Sequence, residues 1–173
     1  AVVLAAWSFK ATHDRLARLD ERCATAWADI DAQLKHRHNI VPGLIEVTRA
    51  MAAHEKDILA EVCRAHAAAA GSAGGDQERR LLSERIFGQS VSRLVEVSMA
   101  YPEIKANVRF QELARELAHT EEMITAARRF YNLAVGEYNA ARRSLTGKLV
   151  GRVVTQATRQ PFDLGIDRIV LDE

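Results

Sequence analysis

A seven-residue repeat between Tyr101 and Asn139 sets what this chain can fold into. Phe110, Leu117, Ile124, Tyr131 and Tyr138 make one seam of it, and Leu113, Thr120, Ala127, Ala134 and Ala141 make the other. Large residues on one seam and mostly small ones on the other describe a long helix packed closely against neighbours. The repeat opens at the Tyr101-Pro102 step and closes on two Tyr-Asn dipeptides, Tyr131-Asn132 and Tyr138-Asn139.

The rest of the sequence reads the same way. Hydrophobic residues supply 48% of the chain but aromatic ones only 6%, so the core must be built from Leu, Ile, Val and Ala, the composition of long helices. Four helical segments are predicted. The first spans about 5–38 and carries Leu16, Leu19, Cys23, Ile30 and Leu34 at helical spacing, with Trp27 joining that face. The second spans about 40–69, with Asn39 as its cap and Pro42 in its first turn, so that His36–Asn39 reads as a sharp reversal. Gly71–Gly75 breaks the chain, and Asp76 caps a third helix over about 77–99. Pro102 separates it from the fourth, about 103–146. No period-2 alternation is long enough for a sheet. Short connections favour antiparallel neighbours, so the expected fold is all-α: an antiparallel up-down-up-down four-helix bundle with long helices. Residues 8–146 form that bundle, and residues 147–173 form a basic, partly irregular tail that either docks, continues into another region or stays without fixed structure.

Catalytic chemistry finds little support. Glu116 and His119 form a Glu-x-x-His pair on one helix face, but the second such motif that a di-iron bundle needs is absent. A metal-binding bundle using Glu116 and His119 with Glu or His from neighbouring helices is the alternative to a non-enzymatic domain. Cys63, His66, His54 and Glu55 lack partners at a spacing that makes a nucleophile–base pair or a metal cage. No phosphate loop, HExxH or nucleophile elbow occurs, and no cofactor is implied. Cys23 and Cys63 read as buried reduced thiols, with a disulfide between helices as the minor reading.

Net charge is only +1, so the whole molecule offers no strong steering field. The distribution is uneven: from Arg128 to Gln160 seven basic residues face Glu137 alone. In the expected topology Lys10, Arg15 and Arg18 lie at the same pole as Arg142, Arg143, Lys148 and Arg152. This basic pole has three readings: contact with an anionic membrane, favourable charge at a helix carboxyl end, and, least supported, nucleic acid. Residues 1–7 are apolar and end in Trp7, which suits either the cytoplasmic exit of a membrane helix or the start of a soluble one. Tyr131 and Tyr138 are expected to bury their rings and reach partners with their hydroxyls. The other reading makes Tyr131, Asn132, Tyr138 and Asn139 an exposed surface for a protein partner.

Taken together in order, Ala24–Val62 and Tyr101–Asn139 resemble the LemA family. The carrying motifs are Gln33-Leu34-x-x-Arg37, Val41-Pro42, Ala53-His54-Glu55, Tyr101-Pro102-x-x-Lys105-Ala106-Asn107, Thr120-Glu121 and the paired Tyr-Asn steps, a match over about residues 10–145. The resemblance implies a helical-bundle domain behind one amino-terminal membrane helix, in bacterial membranes with the domain in the cytoplasm. It makes residues 1–7 the end of that helix. It implies no reaction; family members are membrane-associated proteins, one branch of them linked to organising magnetosome membranes. The expected role is a scaffold or adaptor for protein partners at an anionic membrane surface, with a self-assembling structural protein as a further alternative, homo-oligomerisation open and no nucleic acid bound. Gly43 departs from the family pattern after the turn proline, as do Leu145–Lys148 and the PFDLGIDR ending.

Overall fold

In the computed structural model, residues 2–144 and 158–162 are described, with the backbone alone for residues 2–6. All regular elements among them are helices: α1 (Val2–Met51), α2 (Lys56–Gly71), α3 (Gln77–Met99), the single turn α4 (Pro102–Lys105) and α5 (Val108–Arg143). The described residues fall into two compact units. One takes the chain up to Asp31 together with Thr125–Phe162, and the other takes Ala32–Ile124.

The second unit holds the larger apolar core. Val41, Leu44, Val62, Phe87, Leu94 and Phe110 come from four different helices, and all are shut off from solvent. Each such side chain contributes about 1.5–3 kcal/mol on burial. Polar contacts fix the relative directions of the helices within this unit. Arg109 reaches Glu46 and Glu116 reaches His36, so α5 runs against α1. His38 packs on His66 and Arg49 reaches Cys63, while Arg93 reaches Glu61 and Phe87 packs on His66, so α2 runs against both α1 and α3.

Two predicted boundaries are corrected. The reversal expected at His36–Asn39 does not occur, because α1 continues through Asn39 and Pro42 to Met51. Pro42 withholds an N–H from the helix, which normally costs about 3 kcal/mol. Its ring is exposed, while Ile40, Val41, Leu44 and Ile45 around it are all buried, and that burial outweighs the missing bond. The chain turns instead at Ala52–Glu55, where the Tyr101 hydroxyl donates to the Glu55 carboxylate at 2.5 Å. The expected fourth helix is also interrupted, ahead of Asn107. The Oδ1 of Asn107 accepts the Phe110 N–H at 2.9 Å and so starts α5 afresh as a side-chain cap. The α3 boundaries agree with the prediction. The large seam also holds: Phe110, Leu117, Ile124, Tyr131 and Tyr138 are all buried.

Candidate functional site

In the first unit an extended segment, Thr158–Phe162, lies on α1 and α5 and is gripped by its backbone. Asn132 Nδ2 donates to the Phe162 carbonyl at 3.0 Å, and Asn132 Oδ1 accepts the Phe162 N–H at 2.7 Å. Asn139 repeats the arrangement on Arg159, donating to its carbonyl at 2.9 Å and accepting its N–H at 3.3 Å. Between them the Tyr131 hydroxyl donates to the Gln160 carbonyl at 3.2 Å. The spacing explains the fit. Seven residues of helix advance about 10.5 Å, and three residues of extended chain span about 10 Å. Two asparagines one heptad apart therefore meet two peptide units three residues apart, with the segment antiparallel to α5.

Side chains close the site at both ends. The Phe162 ring is fully buried and packs on Trp27 at 5.8 Å between ring centroids, and Trp27 packs on Tyr131 at 5.3 Å. Arg159 Nε donates to Asp20 Oδ1 at 2.7 Å, and Arg142 Nη1 donates to Thr158 Oγ1 at 2.6 Å. The Asp20 carboxylate holds the Arg159 guanidinium above its ordinary pKa, against the opposing effect of burial. Burial pushes the neighbouring Cys23 thiol up, so Cys23 is a protonated core residue here. Both cysteines are free thiols.

The second unit contains a buried charge centre. Arg37 and Glu84 have side chains only 4% and 3% exposed and meet at 2.7 Å. Arg37 also donates to the Glu84 backbone carbonyl and to Glu121, both at 3.0 Å, and its guanidinium lies 5.3 Å from the centre of the Phe87 ring. His38 Nε2 sits 3.0 Å from the other Glu84 oxygen, and the His38, His66 and Phe87 rings pack on one another at tilted angles. Burial acts to raise the Glu84 pKa, but the hydrogen bonds and charges of His38 and Arg37 prevail and hold it below the usual range. A cavity of about 460 Å³ beside Gly88 opens onto this centre. Its lining sets Arg37, Arg85 and Arg93 among Glu84, Glu96 and Glu121.

The expected site residues are distributed differently from the prediction. With the segment in place Tyr131 and Tyr138 are 2% and 1% exposed, and their place on the large seam buries the rings. Tyr131, Asn132, Asn139 and Arg142 are instead brought together on the chain's own segment. Burial raises the Tyr138 pKa, so Tyr138 serves the core as a protonated phenol. Lys10, Arg15, Arg18 and Arg143 are exposed, and Lys148 and Arg152 lie outside the described residues. Glu116 pairs with His36 at 3.0 Å on an exposed face, and His119 is exposed. Among the described residues no three His, Cys, Asp or Glu side chains gather closely enough to hold a metal ion. Sequence reasoning missed Asp20, Arg159 and Phe162. The signal that points to them is the Tyr-Asn step repeated at a heptad interval, since a repeated half-buried amide needs a repeated partner.

A family model described as LemA family matches residues 26–168, starting later and ending further along than the resemblance predicted. No curated protein matches the chain. The matched region takes in the Tyr101–Glu55 contact between two turns, both Tyr-Asn steps and the segment they hold, and the chain belongs to the LemA family.

Proposed function

We propose that this chain is a non-enzymatic scaffold or adaptor, a LemA-type helical domain that binds polypeptide at the cytoplasmic surface of a bacterial membrane. One observation carries the reading: Asn132 and Asn139 each engage both polar atoms of a residue's main chain in an extended segment. Main-chain recognition of this kind gives affinity to polypeptide as such, and flanking pockets add selectivity. The helix directions within Ala32–Ile124 support an up-down-up-down four-helix bundle as the framework. Two deeply buried charges, Arg37 and Glu84, are already engaged with each other, which favours a binding role over a catalytic one.

The membrane part of the reading draws on the family resemblance and on the amino end. Trp7 is 71% exposed, and exposed Lys10, Arg15 and Arg18 follow it on α1. That order suits an interface with anionic lipid, where each basic residue contributes about 1 kcal/mol. Among the described residues no helix is long and apolar enough to cross a membrane.

Affinity purification of the full-length protein after in-cell crosslinking, with an Asn132→Ala/Asn139→Ala form beside it, tests the proposal. A reproducible set of partner proteins that the double variant loses is the expected result. Recovery of the chain alone from both forms sinks the adaptor reading.

A further inference from the structure

The segment Thr158–Phe162 has no helix or strand of its own, and among the described residues the side chains that hold it come from α1 and α5. It satisfies five separate demands of its seat at once: two main-chain pairings, a hydroxyl bond, a cation for Asp20 and a ring for the Trp27 pocket. None of these demands refers to the chain that supplies the segment. We infer that the seat also accepts the Arg159–Phe162 segment of a second copy, so that two chains exchange segments and associate. This rests on the reading of the seat as a polypeptide receptor and names its partner.

The chemistry favours a second copy over an arbitrary peptide. The occupant must carry a cation at one position and an aromatic ring three residues later, in an extended stretch; Arg159 and Phe162 meet both conditions, and every copy carries them. Pro161 supports the extended form, since its ring fixes φ and biases the residue before it away from helix. Exchange of an identical element between protomers is a low-cost route to a dimer, because the segment meets in its partner the same side chains that it meets in its own chain. The tethered segment competes at an effective concentration of at most about millimolar. Exchange therefore becomes visible when chains are crowded, and at low concentration the chain holds its own segment.

Complementation between two full-length variants tests this without that competition. Arg159→Ala/Phe162→Ala leaves the seat without its occupant, and Asn132→Ala/Asn139→Ala leaves the segment without its seat. By sedimentation each alone stays at the mass of one chain, 19.2 kDa, and their mixture moves toward twice that mass. A synthetic peptide of Thr158–Phe162 added to the emptied seat shifts the Trp fluorescence through Trp27 and competes with the mixed complex. Two helical variants that neither associate nor bind the peptide overturn the inference. Peptide binding without association of the chains overturns the second copy as occupant and leaves the seat to another protein's segment.

Should circular dichroism show that either variant loses its helix, a charge exchange replaces them. Asp20→Arg in one chain and Arg159→Asp in the other break the pair in cis and restore it in trans. Absence of association in that mixture equally overturns the inference. The outcome is independent of cellular partners, so it can fail while the adaptor reading stands, and the reverse.

Discussion

The two units use buried polar groups for opposite purposes. In the unit closed by Phe162, Asn132 and Asn139 spend their amides on main-chain atoms, which every polypeptide carries. In the unit built from Ala32–Ile124, Arg37 and Glu84 spend their charges on each other, among the His38, His66 and Phe87 rings. An amide that gives and takes one hydrogen bond is neutral, so it tolerates water when its partner leaves. A buried guanidinium and carboxylate tolerate nothing of the kind, because each compensates the other, with Glu121 beside Arg37 and His38 beside Glu84. The first arrangement suits a contact that opens, and the second suits one that stays shut.

The largest expected effect therefore lies in the second unit. Glu84→Ala leaves the buried Arg37 charge with the more exposed Glu121 carboxylate and costs about 3–5 kcal/mol in urea unfolding. Replacing Arg37 and Glu84 together by apolar residues of similar volume returns most of that stability. A loss below about 1 kcal/mol for the single variant would erase the contrast between the units. Asn132→Ala removes two neutral hydrogen bonds, a difference of about 1–3 kcal/mol in the docking of the segment. It should speed amide exchange at Phe162 and leave the urea midpoint of the whole chain almost unmoved, because only the local opening is affected. A full global loss equal to that of Glu84→Ala would show that the segment is part of the core.

How much of this was legible follows the same division. The seam from Phe110 to Tyr138 is legible because burial repeats with the helical period, whatever the partner. The third helix is legible because Gly71–Gly75 and Asp76 mark its start locally. The turn at Ala52–Glu55 is not, because no Gly or Pro stands there and Tyr101 pins it from 46 residues away. Pro42 misleads for the complementary reason: the local cost is real, and tertiary burial around it is larger. The family motifs Ala53-His54-Glu55 and Tyr101-Pro102 contain both sides of that contact, but the contact itself is visible only in three dimensions. The seat is half legible. Tyr131, Asn132, Tyr138 and Asn139 stand out as a repeated motif, while Asp20 and Phe162 carry no local mark.

Two glycines of the second unit differ in the same way at smaller scale. An added Cβ at Gly88 would sit 2.8 Å from Arg37 Nη1, and at Gly43 it would sit 2.9 Å from Leu113 Cδ1. The distances are nearly equal, but the neighbours are not. Arg37 is pinned by Glu84 and Glu121 and gives way only by straining those bonds, so Gly88→Ala is destabilising by about 1–2 kcal/mol. Leu113 is half-buried and turns aside, and Ala in place of a mid-helix Gly returns about 0.5–1 kcal/mol, so Gly43→Ala is close to neutral. Thermal unfolding of both variants checks this. Equal losses would mean that the guanidinium is not held as tightly as its hydrogen bonds imply.

The smallest expected effect is a dependence on pH, and its sign separates two groups of the same centre. Burial, and then the nearby His38, hold the His66 pKa below its ordinary value. The unfolded chain therefore takes up a proton at His66 first, near pH 6.5, and stability falls as pH drops from there toward the folded pKa. Glu84 is displaced in the same direction from a lower starting point, so its contribution persists until pH falls below about 4.5 and is lost through its folded pKa. Urea midpoints measured from pH 7.5 to 3.5 should thus decline in two stages. His66→Phe, which keeps a ring beside His38 and Phe87, removes the upper stage and leaves the lower one. The docked segment lacks such a group, since the carboxylate of Asp20 faces a guanidinium that stays charged throughout. Amide exchange at Arg159 and Phe162, corrected for its intrinsic pH dependence, should ignore the upper stage. If protection of the segment instead collapses near pH 6.5, the segment depends on the His66 centre and the two units are not separable.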